Sequence, residues 1–318
     1  MVTPGIADSI AATVDSCRRL DDTEGGSRAA LQYIHQQFTA LADYVRTSRF
    51  SDGATRQRTI NLWAQLAQTA GWTAMDGGLH GRAQRYYFTA LAAAHETADP
   101  ALTSHVLGCL TFQAITRGHH HDALALADAG VSAARSAPPA VRAMAAARKA
   151  HAHAGFGDLG ALRRSTDEAL THLAHSDAQD TRPPWLYWLT DLSVVTGQSY
   201  ITGAFAAGAP GTGEARALLT DADPLITGWL GTHAEHTADR DGLLHGAWLA
   251  RSYLARGELE QTLATASALL QYASTVPSAH VRDTLADLET DLAARRELRN
   301  HSATLRVRGA LKDAAAPA

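Results

Sequence analysis

Five residues carry side chains suited to binding and recur at one position of a repeating pattern: Trp72, Phe112, His151, Asp191 and Arg251. Each stands six positions before a glycine, at 78, 118, 157, 197 and 257. If those glycines are the corners of successive helical hairpins, each of the five residues lies on a first helix and faces the inner wall of the array. Neighbouring inward positions add Gln68, Asp76, His105 and Tyr187. Such a wall combines aromatic rings, an imidazole, carboxylates and a guanidinium, and suits a small polar or aromatic molecule or a short peptide. The competing reading is a groove filled by a neighbouring helix, with His151 and Asp191 as an internal pair.

Catalysis is the next chemistry to weigh. His151 oriented by Asp191 would make a general base in a dry groove, which makes these two the candidate catalytic residues. No nucleophile elbow, phosphate loop or dinucleotide fingerprint occurs, and Gly203, Gly208, Gly211 and Gly213 lack the strand-turn-helix setting such loops need. No cofactor is therefore expected.

Metal binding is weighed on the 16 histidines. His119, His120 and His121 fall at a corner, His151 and His153 point to different sides of a helix, and His172 with His175 and His233 with His236 have helical spacing. Zinc needs three or four convergent ligands, and no pair has an evident third, so no metal site is expected. His233, Glu235 and His236 fall short of the His-Glu-x-x-His pattern. Cys17 and Cys109 lie in helical patterns and read as small reduced core residues. Trp185, Tyr187 and Trp188 follow Pro183-Pro184 and either stack on a ligand or pack against both neighbouring hairpins. Arg295, Arg296, Arg299, Arg306 and Arg308 make a basic tail that reads as a solvated face.

Composition narrows the classes. The chain has 318 residues and a net charge of -4, so it lacks the Lys and Arg excess by which large surfaces hold nucleic acid. The N-terminus lacks the basic and apolar regions of a signal peptide. No window approaches ~18 uninterrupted apolar residues, so no membrane span is expected and the predicted location is cytoplasmic.

The elements that must position these side chains are helices. Leu31, Ile34, Phe38, Leu41 and Val45 recur at intervals of three and four over residues 28 to 47. Helices are likewise predicted over 6 to 20, 54 to 75, 214 to 221, 225 to 238, 243 to 256, 258 to 273 and 279 to 298. The glycine marks are 40, 39, 40 and 60 residues apart, so the period slips between 197 and 257. Tetratricopeptide repeats are ~34 residues long and related helical repeats reach ~40 or more. The predicted fold is all-α, a tetratricopeptide-like right-handed superhelix of antiparallel hairpins. Its expected parts are capping helices over 1 to 53, repeats over 54 to 298, and a basic, alanine-rich, frayed tail over 299 to 318.

Several strings occur in a recognisable order: Arg19-Leu20-Asp21-Asp22-Thr23-Glu24-Gly25-Gly26, Ala70-Gly71-Trp72 with Asp76, the run from Ala83 to Tyr87, Val141-Arg142 with Ala150 to His153, Pro184 to Leu189, and Gly257 to Gln261. Together, over roughly residues 15 to 290, they resemble the C-terminal tetratricopeptide-like domain of actinobacterial helix-turn-helix transcriptional regulators of the XRE type. In that family the repeat domain follows a DNA-binding domain. Residues 1 to 14 are too short to hold such a reader, so no direct DNA binding is expected. The resemblance implies a regulatory or sensor protein that holds a small molecule or short peptide and signals through a protein partner or as a homodimer. The alternative is an enzyme of specialised metabolism that uses the same scaffold and its concave pocket for acid-base chemistry.

Overall fold

A computed structural model describes residues 1–176, 183, 185–186, 192–233 and 239–316. Among the described residues the chain forms fourteen α-helices and no strand beyond an isolated bridge between Val2 and Phe50. In chain order the helices are α1 (Pro4–Glu24), α2 (Arg28–Thr47), α3 (Gly53–Asp76), α4 (His80–Glu96), α5 (Pro100–Thr116), α6 (His120–Ala133), α7 (Pro139–Phe156), α8 (Leu159–Ala174), α9 (Leu192–Ala206), α10 (Gly213–Thr232), α11 (Arg240–Arg256), α12 (Leu259–Leu270), α13 (Ala279–Ala294) and α14 (Ser302–Ala315). None is long and apolar enough to cross a membrane.

Local chemistry starts and stops these helices. Ser27, Asp52, Asp99, Asp239 and Ser278 each accept a hydrogen bond from the backbone N–H three residues on, and so cap α2, α3, α5, α11 and α13. At the C-terminal ends, Gly78, Gly118, Gly157 and Gly257 adopt left-handed backbone with φ of 78°, 71°, 71° and 85°. At each, the glycine N–H bonds a carbonyl three residues back and the next N–H one five residues back, for example Gly118 to Ile115 and His119 to Ala114. That double closure satisfies the last carbonyls of the helix, and a residue without Cβ makes it at least cost.

Gly197 departs from the expected pattern. It sits inside α9, where a Cβ would come 2.8 Å from Ile226 Cγ1 on α10, so it serves close helix packing and makes no corner. The corner belongs to Gly208, with φ of 81°. The left-handed glycines at 78, 118, 157, 208 and 257 are therefore 40, 39, 51 and 49 residues apart, so the uneven spacing falls on two intervals. Six positions before Gly208 stands Thr202, which takes the register position expected for Asp191. A second difference is α10, which runs unbroken through Pro224 where two shorter helices were expected.

The chain divides into two compact units, Met1–Ala152 with Ser165–Leu189, and His153–Arg164 with Thr190–Ala318. In the first, α3 packs on α1, α2 and α4, and α5 on α4 and α6. Its fully buried side chains include Ile34, Ile60, Leu66, Tyr87 and Leu102. Gly71 is tightly enclosed there, since a Cβ on it would lie 2.5 Å from Tyr87 Cε1. In the second unit, α9 pairs with α10, α11 with α12 and α13, and α13 with α14. Its core gathers Leu243, Ala247, Ala250, Leu285, Leu288 and Leu311. The tail expected to fray is helical over Ser302–Ala315, because Thr304, Val307 and Leu311 recur at three and four and bury one stripe.

Candidate functional site

The first unit brings most of the candidate wall together. On α3, Gln68, Trp72 and Asp76 recur at four-residue spacing and so share a face. Trp72 stacks on Phe112 of α5 with ring centres 5.5 Å apart and an interplanar angle of 23°. Phe112 in turn meets the His151 ring of α7 at 5.8 Å. Three residues that share only a register position thus form one continuous row of rings, which supplies a flat, polarizable surface.

A second row runs beside it. Gln68 Nε2 donates to Cys109 Sγ at 3.5 Å, and Cys109 Sγ lies 4.0 Å from His105 Nε2. The His105 ring stacks on Trp185 with centres 4.6 Å apart. Arg148, one turn before His151 on α7, places its guanidinium carbon 5.0 Å from the centre of the Phe112 ring. Gly108 makes room for that side chain, since a Cβ there would stand 3.3 Å from Arg148 Cγ. Ser104, His105, Cys109, Met144, Arg148 and Trp185 help to line a small cavity beside the second row, with room for about a single water.

Burial sets the protonation of these groups. It pushes the His105 imidazole down to about 3, helped by the positive charges of Arg148 and Arg18, so the ring is neutral at physiological pH. Burial also pushes the Cys109 thiol up to about 11, against the pull of Arg148. The Cys–His contact consequently holds a thiol and a neutral imidazole, the opposite of the thiolate and imidazolium of a nucleophilic dyad. Cys17 is likewise buried, with its thiol raised to about 11. The Tyr87 hydroxyl is raised by burial and by neighbours that include Cys109, Asp21 and Asp76. Asp21 of α1 accepts a hydrogen bond from the Thr73 hydroxyl at 2.5 Å, which ties α1 to the end of the wall where Asp76 is buried.

At the other end of α3 a polar chain leads toward solvent. Asn61 Nδ2 donates to Asp99 Oδ2 at 2.8 Å, Gln65 Nε2 to Asn61 Oδ1 at 2.7 Å, and Arg18 on α1 to Gln65 Oε1 at 3.1 Å. Arg18 also pairs with Asp15 at 2.8 Å.

Not every candidate belongs to this wall. Tyr187 and Asp191 lie outside the described residues, and so does any pairing of Asp191 with His151. Arg251 is in the second unit, where its Nε donates to Asp291 at 2.7 Å and a terminal nitrogen to Asp287 at 2.8 Å. Its guanidinium also lies 4.8 Å and 5.0 Å from the ring centres of Phe205 and Trp248, so it clasps α11 to α13. The second unit has a polar cluster of its own that the register did not reveal. Gln198 meets His245 Nδ1 at 2.9 Å, and Trp229 lies between His245, edge-on at 4.6 Å, and His233, stacked at 4.7 Å. Burial pushes His245 down to about 4. Among the described residues no three or more His, Cys, Asp or Glu side chains are grouped so as to hold a metal ion.

Arg18, Gln65, Cys109 and Arg148 are wall residues that the glycine register passes over. A weak signal existed for one of them: Arg18 falls four residues after Val14, at the edge of an apolar stripe. Compared with models of known protein families and with curated proteins, the chain matches none.

Proposed function

We propose that this chain is a cytoplasmic regulatory or sensor protein, built of tetratricopeptide-like hairpins, that binds a small organic molecule or short peptide along the α3–α5–α7 wall of its first unit. The observation that supports it most is the joint burial of polar and aromatic side chains across three helices. Gln68, His105, Arg148 and His151 are each less than a tenth exposed, although alanine or leucine would fill such positions at lower desolvation cost. Polar groups kept in the interior beside a row of rings are the ordinary lining of a ligand site. The resemblance to the repeat domain of XRE-type regulators supports the same reading.

The test is a thermal-shift screen of the whole chain against a library of metabolites and dipeptides. A compound that raises the melting temperature is expected to lose its effect in Trp72→Ala and Gln68→Ala variants. Hits indifferent to both substitutions would place binding elsewhere and overturn the reading.

A further inference from the structure

Arg18 stands out among the polar residues of the first unit by how it is held. Its side chain is only 12% exposed, yet its carboxylate partner, Asp15, is 49% exposed and one turn away on the same helix. An ion pair of that kind is weak, because water competes for the open carboxylate. The second partner is neutral: Gln65 offers Arg18 its carbonyl oxygen while spending its amide N–H on Asn61. The third donor, Arg18 Nε, is buried and has no hydrogen-bond partner among the described residues. A guanidinium in this position has been largely removed from water without a buried anion in return, and its unused donor carries a standing desolvation cost.

Asp21, a buried carboxylate one turn on along α1, accepts from the Thr73 hydroxyl, and among the described residues no hydrogen bond or ion pair joins it to Arg18. His105 is close enough for the Arg18 charge to act on it, and it is neutral. Cys109, between His105 and Gln68, is a thiol. Asn61 and Gln65 are amides. The only carboxylate hydrogen-bonded to Arg18 among the described residues is therefore the half-exposed Asp15, which can swing into solvent at little cost.

Resting on the reading of the α3–α5–α7 wall as a ligand site, we propose that Arg18 is its anion-binding residue and that the ligand carries a carboxylate, which displaces Asp15 and accepts hydrogen bonds from the guanidinium, Nε included. Planar two-point recognition of a carboxylate is what a guanidinium does better than an ammonium, and it gains strength where water is excluded. Asp15 then acts as a resident stand-in that keeps the charge partnered in the free protein.

A carboxylate can come from a small organic acid or from the C-terminus of a short peptide, and matched pairs separate them. Indole-3-acetate is compared with indole-3-acetamide, and acetyl-Ala-Ala-Phe with its C-terminal amide, by titration calorimetry with the full-length chain. In at least one pair the acid is expected to bind and the amide to bind about tenfold more weakly or not at all. The pair that shows this difference identifies the source. Arg18→Gln is expected to abolish the difference between acid and amide. Arg18→Lys should keep part of it, because the charge remains and the fork is lost. Asp15→Asn removes the competing carboxylate at an exposed position, leaves the fold intact and should tighten binding of the acid several-fold.

Equal binding of acid and amide, no binding by either acid, or weaker binding of the acid to Asp15→Asn would each overturn the proposal. Equal binding that is lost in Trp72→Ala would overturn the role of Arg18 alone and leave the wall as a ligand site. Should Arg18→Gln fail to fold, the Asp15→Asn titration still decides.

Discussion

The guanidinium carbon of Arg148 lies 5.0 Å from the centre of the Phe112 ring, and that ring stacks on Trp72 at 5.5 Å. One buried phenyl group therefore joins a cation on α7 to an indole on α3. Phe112→Ala would remove the middle of the row and leave a cavity, at a cost of about 3–5 kcal/mol, and Phe112→Leu, which keeps most of the volume, should cost about 1–2 kcal/mol. Urea denaturation followed by tryptophan fluorescence checks both values. A Phe112→Leu variant as stable as the wild type would show that the ring stack contributes nothing beyond volume.

Two of the buried imidazoles make stability depend on pH in a stated direction. His105 and His245 are pushed from 6.5 to about 3 and about 4, in each case chiefly by burial. As the pH falls below 6.5, the unfolded chain takes up protons at these rings while the folded chain does not, so folding stability declines. The decline continues to about pH 4 for His245 and about pH 3 for His105. Urea midpoints at pH 7.5, 6.0 and 5.0 should fall steadily, and less steeply in His105→Gln. Parallel declines in the two proteins would sink this account.

Backbone conformation decides the sign of two small exchanges. Ala98 ends α4 with φ of 50°, in the left-handed region that disfavours a Cβ, and its turn carries the same pair of bonds as the glycine corners, Ala98 to His95 and Asp99 to Ala94. Ala98→Gly is expected to stabilise by about 0.5–1 kcal/mol. Gly309 lies within α14 with open space where a Cβ would go, so Gly309→Ala should stabilise by about 0.5–1 kcal/mol through helix propensity. Gly71→Ala, by contrast, meets the buried Tyr87 ring and should destabilise by about 1–3 kcal/mol despite the same propensity gain. Thermal melts of the three variants test the order.

In the second unit, Arg251 ties α11 to α13 through Asp287 and Asp291, whose side chains are 60% and 26% exposed. Removing the shared cation leaves Asp291, already raised by burial, facing another carboxylate. Arg251→Ala should cost about 2–4 kcal/mol. Asp287→Ala, at the open end of the clasp, should cost less than about 1 kcal/mol. Equal losses in chemical denaturation would contradict this division of the clasp.

What the sequence determined by itself was local. Periods of three and four residues specified the helices, as in α2 with Ile34 and Leu41 buried on its stripe. Gly78, Gly118, Gly157 and Gly257 marked helix ends, because only a residue without Cβ turns left-handed cheaply. Counting back from the first three of these glycines reached Trp72, Phe112 and His151, which do form one row.

Tertiary structure decided the rest, because its causes are non-local. Gly197 and Gly208 look alike in the sequence. The first is a glycine because Ile226 crosses it 29 residues later, the second because the chain turns there. The counting rule therefore has no corner to count from at Gly197. Arg251, reached by the same count, meets two carboxylates of the opposing α13, a clasp that the sequence did not announce. Arg18 could not be singled out in advance, since its character depends on which partner is buried with it. That partner set, an open Asp15 and a neutral Gln65, exists only once α1 has packed on α3.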